Sequence, residues 1–261
     1  MTKTIAMMQP YWFPYLGYFQ LIAAADAFVL GDDLQYIKDG WINRNRMLAG
    51  GQPWMFSLPL KKDAHGLNIN QRLLSDDVDQ AMAKLLKTFA LHYARAPQRA
   101  AVLPLLEGIL LHPERNLARR LEFSIRQLCA FLHIETPIHR ASDLGISDIQ
   151  DKQDRVIKTL QTLGGERFLN PIGGLDLYED ELFKRHGLEL RFHRMSALSY
   201  AQFKGPFVAN LSIIDVLMFN TPEQVRQWLP LFSVELPRAT ESATSNLVPP
   251  VAPPAFMEMY S

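Results

Sequence analysis

The residues best suited to chemistry crowd into the first 46 positions of this 261-residue chain. The run Gln9-Pro10-Tyr11-Trp12-Phe13-Pro14-Tyr15-Leu16-Gly17-Tyr18 sets an amide and three phenols on a segment stiffened by two prolines. A core strand has no use for Pro-Tyr-Trp-Phe-Pro-Tyr, so the run reads as a rigid loop. From it Gln9, Tyr11, Tyr15 and Tyr18 can orient a polar substrate, while Trp12, Phe13 and Phe19 read as packing. Gly17 would let the first turn of a following helix approach a bound group. The unpaired amides of such a turn favour an anion such as phosphate or carboxylate.

A second cluster follows: Asp32, Asp33, Lys38, Trp41, Asn43, Arg44, Asn45 and Arg46. Asp32 or Asp33 can serve as general base, with Lys38 tuning or pairing with it, provided hydrogen-bond reach to the reacting proton exists. Asn43 and Asn45 alternate with Arg44 and Arg46, which predicts an extended segment whose two faces differ. Two arginines on one face can clamp a diphosphate or carboxylate bidentately, and Trp41 can stack on a base or sugar. A third group is Asn170, Gly173, Gly174 and Tyr178. Its paired glycines permit close ligand approach, although a tight turn before a helix explains them equally well. Asp215 is a lone acid in the apolar run 211–220. A buried carboxylate is costly alone, so a structural hydrogen bond or ion pair is its first reading and a site role its second.

Other chemistries lack their residues. The histidines at 65, 92, 112, 133, 139, 186 and 193 are dispersed, and none has the H-E-x-x-H spacing of a metal site. Cys129 stands alone in an apolar helix pattern and reads as core. The chain has no Walker loop, no G-x-G-x-x-G and no G-x-S-x-G elbow. His139 and His193, each followed by Arg, read as surface or edge residues, or as bases if their strands end beside the first motif. Tyr15-Leu16-Gly17-Tyr18 fills the slot where nucleotidylyltransferases carry His-x-Gly-His. Both histidines are replaced, so imidazolium acid chemistry is gone and only a fold-level analogy remains.

The elements that must position these residues follow from periodicity. Residues 4–8 form an apolar run read as a buried strand, a helix begins near Leu16, and residues 27–31 form a second strand. Strand, helix and strand within about thirty residues make a right-handed βαβ unit with parallel strands. Both clusters then sit at the carboxyl edge of the sheet, where open α/β folds bind ligands. Residues 54–60 read as a third strand, and 61–76 as loop. Amphipathic stripes over 78–95, 96–111 and 116–132 predict a helical insertion at about 78–132. A strand over 134–139, a helix over 152–163, a strand over 168–170, a turn at 171–174, a helix over 177–186 and a strand over 188–192 complete the alternation. Gly164-Gly165 stops the first of those helices. Ser212 and Thr221 are N-caps for two last helices. The expected architecture is an α/β domain over 1–235 with a parallel-sheet core, followed by a Pro-rich flexible tail over 236–261.

Composition narrows the partners. Lys plus Arg and Asp plus Glu both total 27, so the formal net charge is zero and non-specific nucleic-acid binding has no electrostatic support. At 48% hydrophobic residues the chain can bury a core. It shows neither a secretory h-region nor an apolar run long enough to span a bilayer, so no membrane insertion is expected. One cysteine cannot form an internal disulfide, which fits a cytoplasmic location.

Residues 5–22 (IAMMQPYWFPYLGYFQLI), D-x-F-V-x-x-D-D at 26–33 and KDGWINRNR at 38–46 resemble the WbqC-like protein family. NPIGGLDLY at 170–178 and LSIIDVLMFN at 211–220 are similar to its later blocks, so the resemblance runs from about residue 4 to 232. It implies surface-polysaccharide or O-antigen precursor biosynthesis by a cytoplasmic transferase. The substrate would be a nucleotide-activated sugar or its amino group, and the reaction acyl or aminoacyl transfer. Gln9, Tyr15 and Tyr18 would position the substrate, Arg44 and Arg46 would hold its anionic group, and Asp32 or Asp33 with Lys38 would act on protons. The ligand is then a small molecule, a nucleotide sugar or an amino acid. No cofactor is named by these residues, and homo-oligomerisation is left open. A non-catalytic scaffold for glycan enzymes, motivated by the Pro-rich tail, is the competing expectation, and nucleotidyl transfer a third.

Overall fold

The computed structural model describes residues 2–64, 66–146, 149 and 151–238. The first strand, β1 (Thr4–Met8), is buried along its whole length. That continuous burial is what a central parallel strand covered on both faces requires. Its side chains alternate between two cores: Ala6 and Met8 point into one, Ile5 and Met7 into the other. The helix α1 (Leu16–Ala23) follows and packs on the first core. Next comes β2 (Ala27–Leu30), parallel to β1 with Ile5 opposite Ala27. The expected βαβ unit is therefore present.

The chain then leaves the sheet. β3 (Arg44–Ala49) and β4 (Gln52–Ser57) form a separate antiparallel hairpin. Gly50 and Gly51 turn it with φ of 58° and 79°, the left-handed pair that a two-residue hairpin loop demands. The strand expected over 54–60 is thus half of a hairpin and takes no place in the main sheet. Helices α2 (Val78–His92), α3 (Arg99–Leu110) and α4 (Leu117–Phe131) follow and bury their apolar stripes in the first core.

β5 (Ile138–Arg140) returns to the sheet beside β2. It starts later than expected, because Pro137 has no N–H to give; its carbonyl accepts from Phe28 N at 2.8 Å. Helix α5 (Lys152–Leu163) is capped by Asp151 and ends on left-handed Gly164. It packs on the second core through Val156, Ile157 and Leu160. β6 (Arg167–Pro171) then pairs with the free side of β1.

A 3-10 turn over Ile172–Leu177 replaces the start of the helix expected at 177–186, leaving the shorter α6 (Asp180–Arg185). β7 (Glu189–Met195) lies parallel to β6. Ser212 and Thr221 cap α7 (Ile213–Phe219) and α8 (Pro222–Trp228) as expected. A strand without a sequence signal, β8 (Phe232–Glu235), closes the edge antiparallel to β7. The six-stranded order is β5-β2-β1-β6-β7-β8, a mostly parallel α/β sheet. Of the expected tail, 239–261 lies outside the described residues. No helix among the described residues is long and apolar enough to cross a membrane.

Candidate functional site

The strand order locates a crevice. From β1 the chain moves outward to β2 and β5, then comes back to place β6 on the other side of β1. Between β1 and β6 the connections diverge to opposite faces, α1 on one and α5 on the other. Open α/β sheets bind ligands at such a switch point, outside the carboxyl ends of the strands. A cavity of about 820 Å³ opens there, a size suited to a nucleotide-sized ligand. Met7, Met8 and Gln9 from the end of β1, Asn170 from β6, and Val156 on α5 line it, together with residues 34–38, 60–64 and 66–67.

The aromatic run after β1 is stapled in place. Phe13 sits at φ 46°, a conformation that costs a non-glycine residue energy. Asn45 holds it, donating from Nδ2 to Trp12 O at 3.1 Å and to Phe13 O at 2.8 Å, and Ser212 Oγ adds a bond to Phe13 O at 2.8 Å. Tyr18 is fully buried, with its phenol pushed up by burial, and donates to Gln9 O at 3.0 Å. Asn45 and Tyr18 thus shape the cavity from behind without lining it. Gly17 gives close packing rather than ligand approach: a Cβ there would lie 2.4 Å from the ring of Tyr15.

Of the residues singled out in the sequence, Gln9, Tyr11, Lys38, Asn43, Asn170 and Tyr178 line the cavity. The others stand elsewhere. Asp32, 2% exposed, accepts from Ser142 N at 3.0 Å and Ser142 Oγ at 2.6 Å. Both its oxygens serve the turn after β5, so it is not free to act as a base. Asp33 pairs with Arg155, and its second oxygen, Oδ1, is buried without a hydrogen bond. Burial raises the Asp33 carboxyl above the ordinary range while Arg155 pulls it down.

Arg44 and Arg46 do alternate with Asn45 on an extended strand, but their face turns away from the cavity. Arg44 bonds Asp39 and Gly40 O, and Arg46 lies 5.1 Å over the ring of Trp41. Trp41, Tyr15, Gly17, Gly173 and Gly174 also lie outside the lining. Gly174 matters indirectly, because a Cβ there would fall 2.0 Å from Nδ2 of Asn170. Asp215 is fully buried and accepts from Tyr93 Oη at 2.8 Å, Tyr200 Oη at 2.7 Å and Gln202 Nε2 at 2.7 Å. All three contacts are structural in kind, and Asp215 does not line the cavity. Neither His139 nor His193 lines the cavity; His193 is buried, and desolvation lowers it to about 4.

The cavity is strongly cationic. Lys38, Lys61, Lys62, Arg72, Lys152 and Arg155 all line it, against the single lining carboxylate Asp63 among the described residues. Asp33 matches Arg155 and Asp76 matches Lys61. Lys38, Lys62, Arg72 and Lys152 have no carboxylate within ion-pair distance among the described residues. In a pocket walled by Met7, Met8, Leu34 and Leu177, that unmatched charge makes the local potential positive.

The model of the WbqC-like protein family matches residues 9–227 of this sequence. The chain belongs to the WbqC-like protein family. It is 26% identical over 233 residues to the uncharacterized protein Rv1507c of Mycobacterium tuberculosis (strain H37Rv), covering 87% of this chain and 97% of that one. No solved structure matches.

Sequence reasoning missed Tyr36, Lys62, Arg72, Lys152 and Arg155. For the last two a signal existed. Lys152 and Arg155 occupy the first turn of α5, where the helix dipole disfavours cations.

Proposed function

We propose that this WbqC-like chain is a cytoplasmic transferase of surface-polysaccharide precursor biosynthesis, and that it binds a nucleotide-activated amino sugar in the switch-point cavity. The observation that carries the reading is the unmatched cationic lining at the carboxyl ends of β1 and β6. Lys152 and Arg155, in the first turn of α5, hold the diphosphate through their side-chain charge, since the Asp151 carboxylate already takes the amides of Gln153 and Asp154. Arg155 suits the task, because its fork is pre-set by Asp33 on one side and can engage phosphate on the other.

The reaction is acyl or aminoacyl transfer to the sugar amine. The amine nitrogen forms the new C–N bond to the carbonyl carbon of an activated acyl donor, the donor's leaving group departs with its bonding pair, and the ammonium proton passes to a base. Asp63, as the lining carboxylate, takes that role in place of Asp32 and Asp33. Lys38 faces the developing oxyanion. Gln9, Asn170 and Tyr178 fix the sugar hydroxyls.

The test is a thermal-unfolding panel with UDP-, dTDP-, GDP- and CDP-linked amino sugars. A ligand at 100 times its Kd adds about 2.7 kcal/mol to folding stability, so at least one compound raises the Tm of the native chain by several degrees. The rise is lost in Lys152→Ala/Arg155→Gln. If no nucleotide sugar shifts Tm, the reading fails.

A further inference from the structure

One wall of the cavity has a shape that a diphosphate alone does not need. The Arg72 guanidinium lies 4.8 Å over the ring of Tyr36, and both residues line the cavity. Neither is loose. Tyr36 Oη donates to Asn43 Oδ1 at 2.8 Å, and its backbone N–H donates to Leu67 O at 3.0 Å. Arg72 donates to Lys61 O at 3.2 Å. The pair is therefore a flat cationic-aromatic surface held by these three hydrogen bonds.

We infer that the Tyr36–Arg72 stack is the platform for the nucleobase of the bound nucleotide. The ligand then lies with its base against residues 34–38 and 66–72 and its diphosphate toward Lys152 and Arg155. Aromatic rings and guanidinium planes are the two surfaces on which proteins stack unpaired bases. Gln35 also lines the cavity, and its side-chain amide carries a donor and an acceptor that suit a base edge. This inference rests on the nucleotide-sugar reading above but goes further, since that reading requires only an anion site.

Titration calorimetry at fixed ionic strength with UDP and with inorganic pyrophosphate separates the two. The native chain binds UDP more tightly than pyrophosphate. Tyr36→Phe keeps the ring and holds UDP affinity within about two-fold. Tyr36→Ala and Tyr36→Leu weaken UDP by about ten-fold or more, the scale of a lost base stack, and leave pyrophosphate within two-fold. Tyr36→Leu preserves apolar bulk, so it reports on stacking if Tyr36→Ala does not fold. UDP affinity unchanged in Tyr36→Leu, or UDP no tighter than pyrophosphate in the native chain, overturns the platform while leaving the anion site standing. Equal losses for UDP and pyrophosphate also overturn it, since Tyr36 then merely supports the fold. A native chain that binds neither compound overturns the underlying reading as well.

Discussion

Arg155 and Asp33 make the sharpest test of how the cationic bank works. Their side chains are 19% and 17% exposed, between the surface and the interior. Arg155 lines the cavity and Asp33 does not, so Asp33 acts through Arg155 as a positioning residue. Arg155→Gln removes a charge-assisted contact to phosphate worth about 1.5–3 kcal/mol. UDP should therefore bind roughly ten- to a hundred-fold more weakly. Asp33→Asn keeps an acceptor of the same shape but removes the charge that fixes the guanidinium. It should weaken UDP by about three- to ten-fold and lower stability by about 1 kcal/mol, since a half-buried pair lies between the surface and buried limits. The double variant should bind like Arg155→Gln, within about 0.5 kcal/mol, because Asp33 has nothing left to position. Calorimetric Kd values for the four proteins complete the cycle. Additive losses would show that Asp33 touches the ligand itself, and native-like binding by Arg155→Gln would refute the anion bank.

Three further outcomes follow from the same contacts. His193 is 3% exposed with an unsatisfied Nε2, and its pKa is lowered to about 4. The unfolded chain binds the extra proton between about 6.5 and 4, so this contribution is whole above pH 6.5 and is lost as pH falls toward 4, to a limit of about 3 kcal/mol; His193→Phe should flatten the pH 4–6.5 arm of the stability curve. Asp215→Ala strands three donors, Tyr93, Tyr200 and Gln202, and should cost about 3 kcal/mol in urea unfolding, while Asp215→Asn costs roughly half and leaves UDP binding unchanged. Gly174→Ala drives a methyl into the amide of Asn170 and should weaken nucleotide-sugar binding by about five-fold, equivalent to about one hydrogen bond, with circular dichroism unchanged.

What the sequence made legible depended on how strongly local pattern agrees with tertiary context. Thr4–Met8 and Ala27–Leu30 announce themselves because a doubly covered parallel strand must be apolar throughout. β3 was legible in part: the Asn/Arg alternation announces an extended segment, while its polar letters conceal which face is buried. In Arg-Asn-Arg-Met-Leu-Ala the buried Asn45 counts as core only because it staples the loop at Trp12 and Phe13. β8 hid because a half-exposed edge strand needs little hydrophobicity. The carboxyl edge, where the cavity lies, was readable from the βαβ start. Its cations were not. Arg44 and Arg46 attracted attention by density, while Arg155, far along the chain, reaches the same crevice only because β6 returns beside β1. Asp32 and Asp33 differ for the same reason: their fates are set by Ser142 and Arg155, more than a hundred positions away.

The most direct measurement is a crystal structure of the chain with UDP-glucosamine, whose amine is free. Density is expected between the ends of β1 and β6, with phosphate oxygens within hydrogen-bond distance of Arg155 and Lys152 and the uracil stacked at Tyr36. Nucleotide density anywhere else, or a diphosphate bound by Arg44 and Arg46 with the switch-point cavity left to solvent, would contradict this placement.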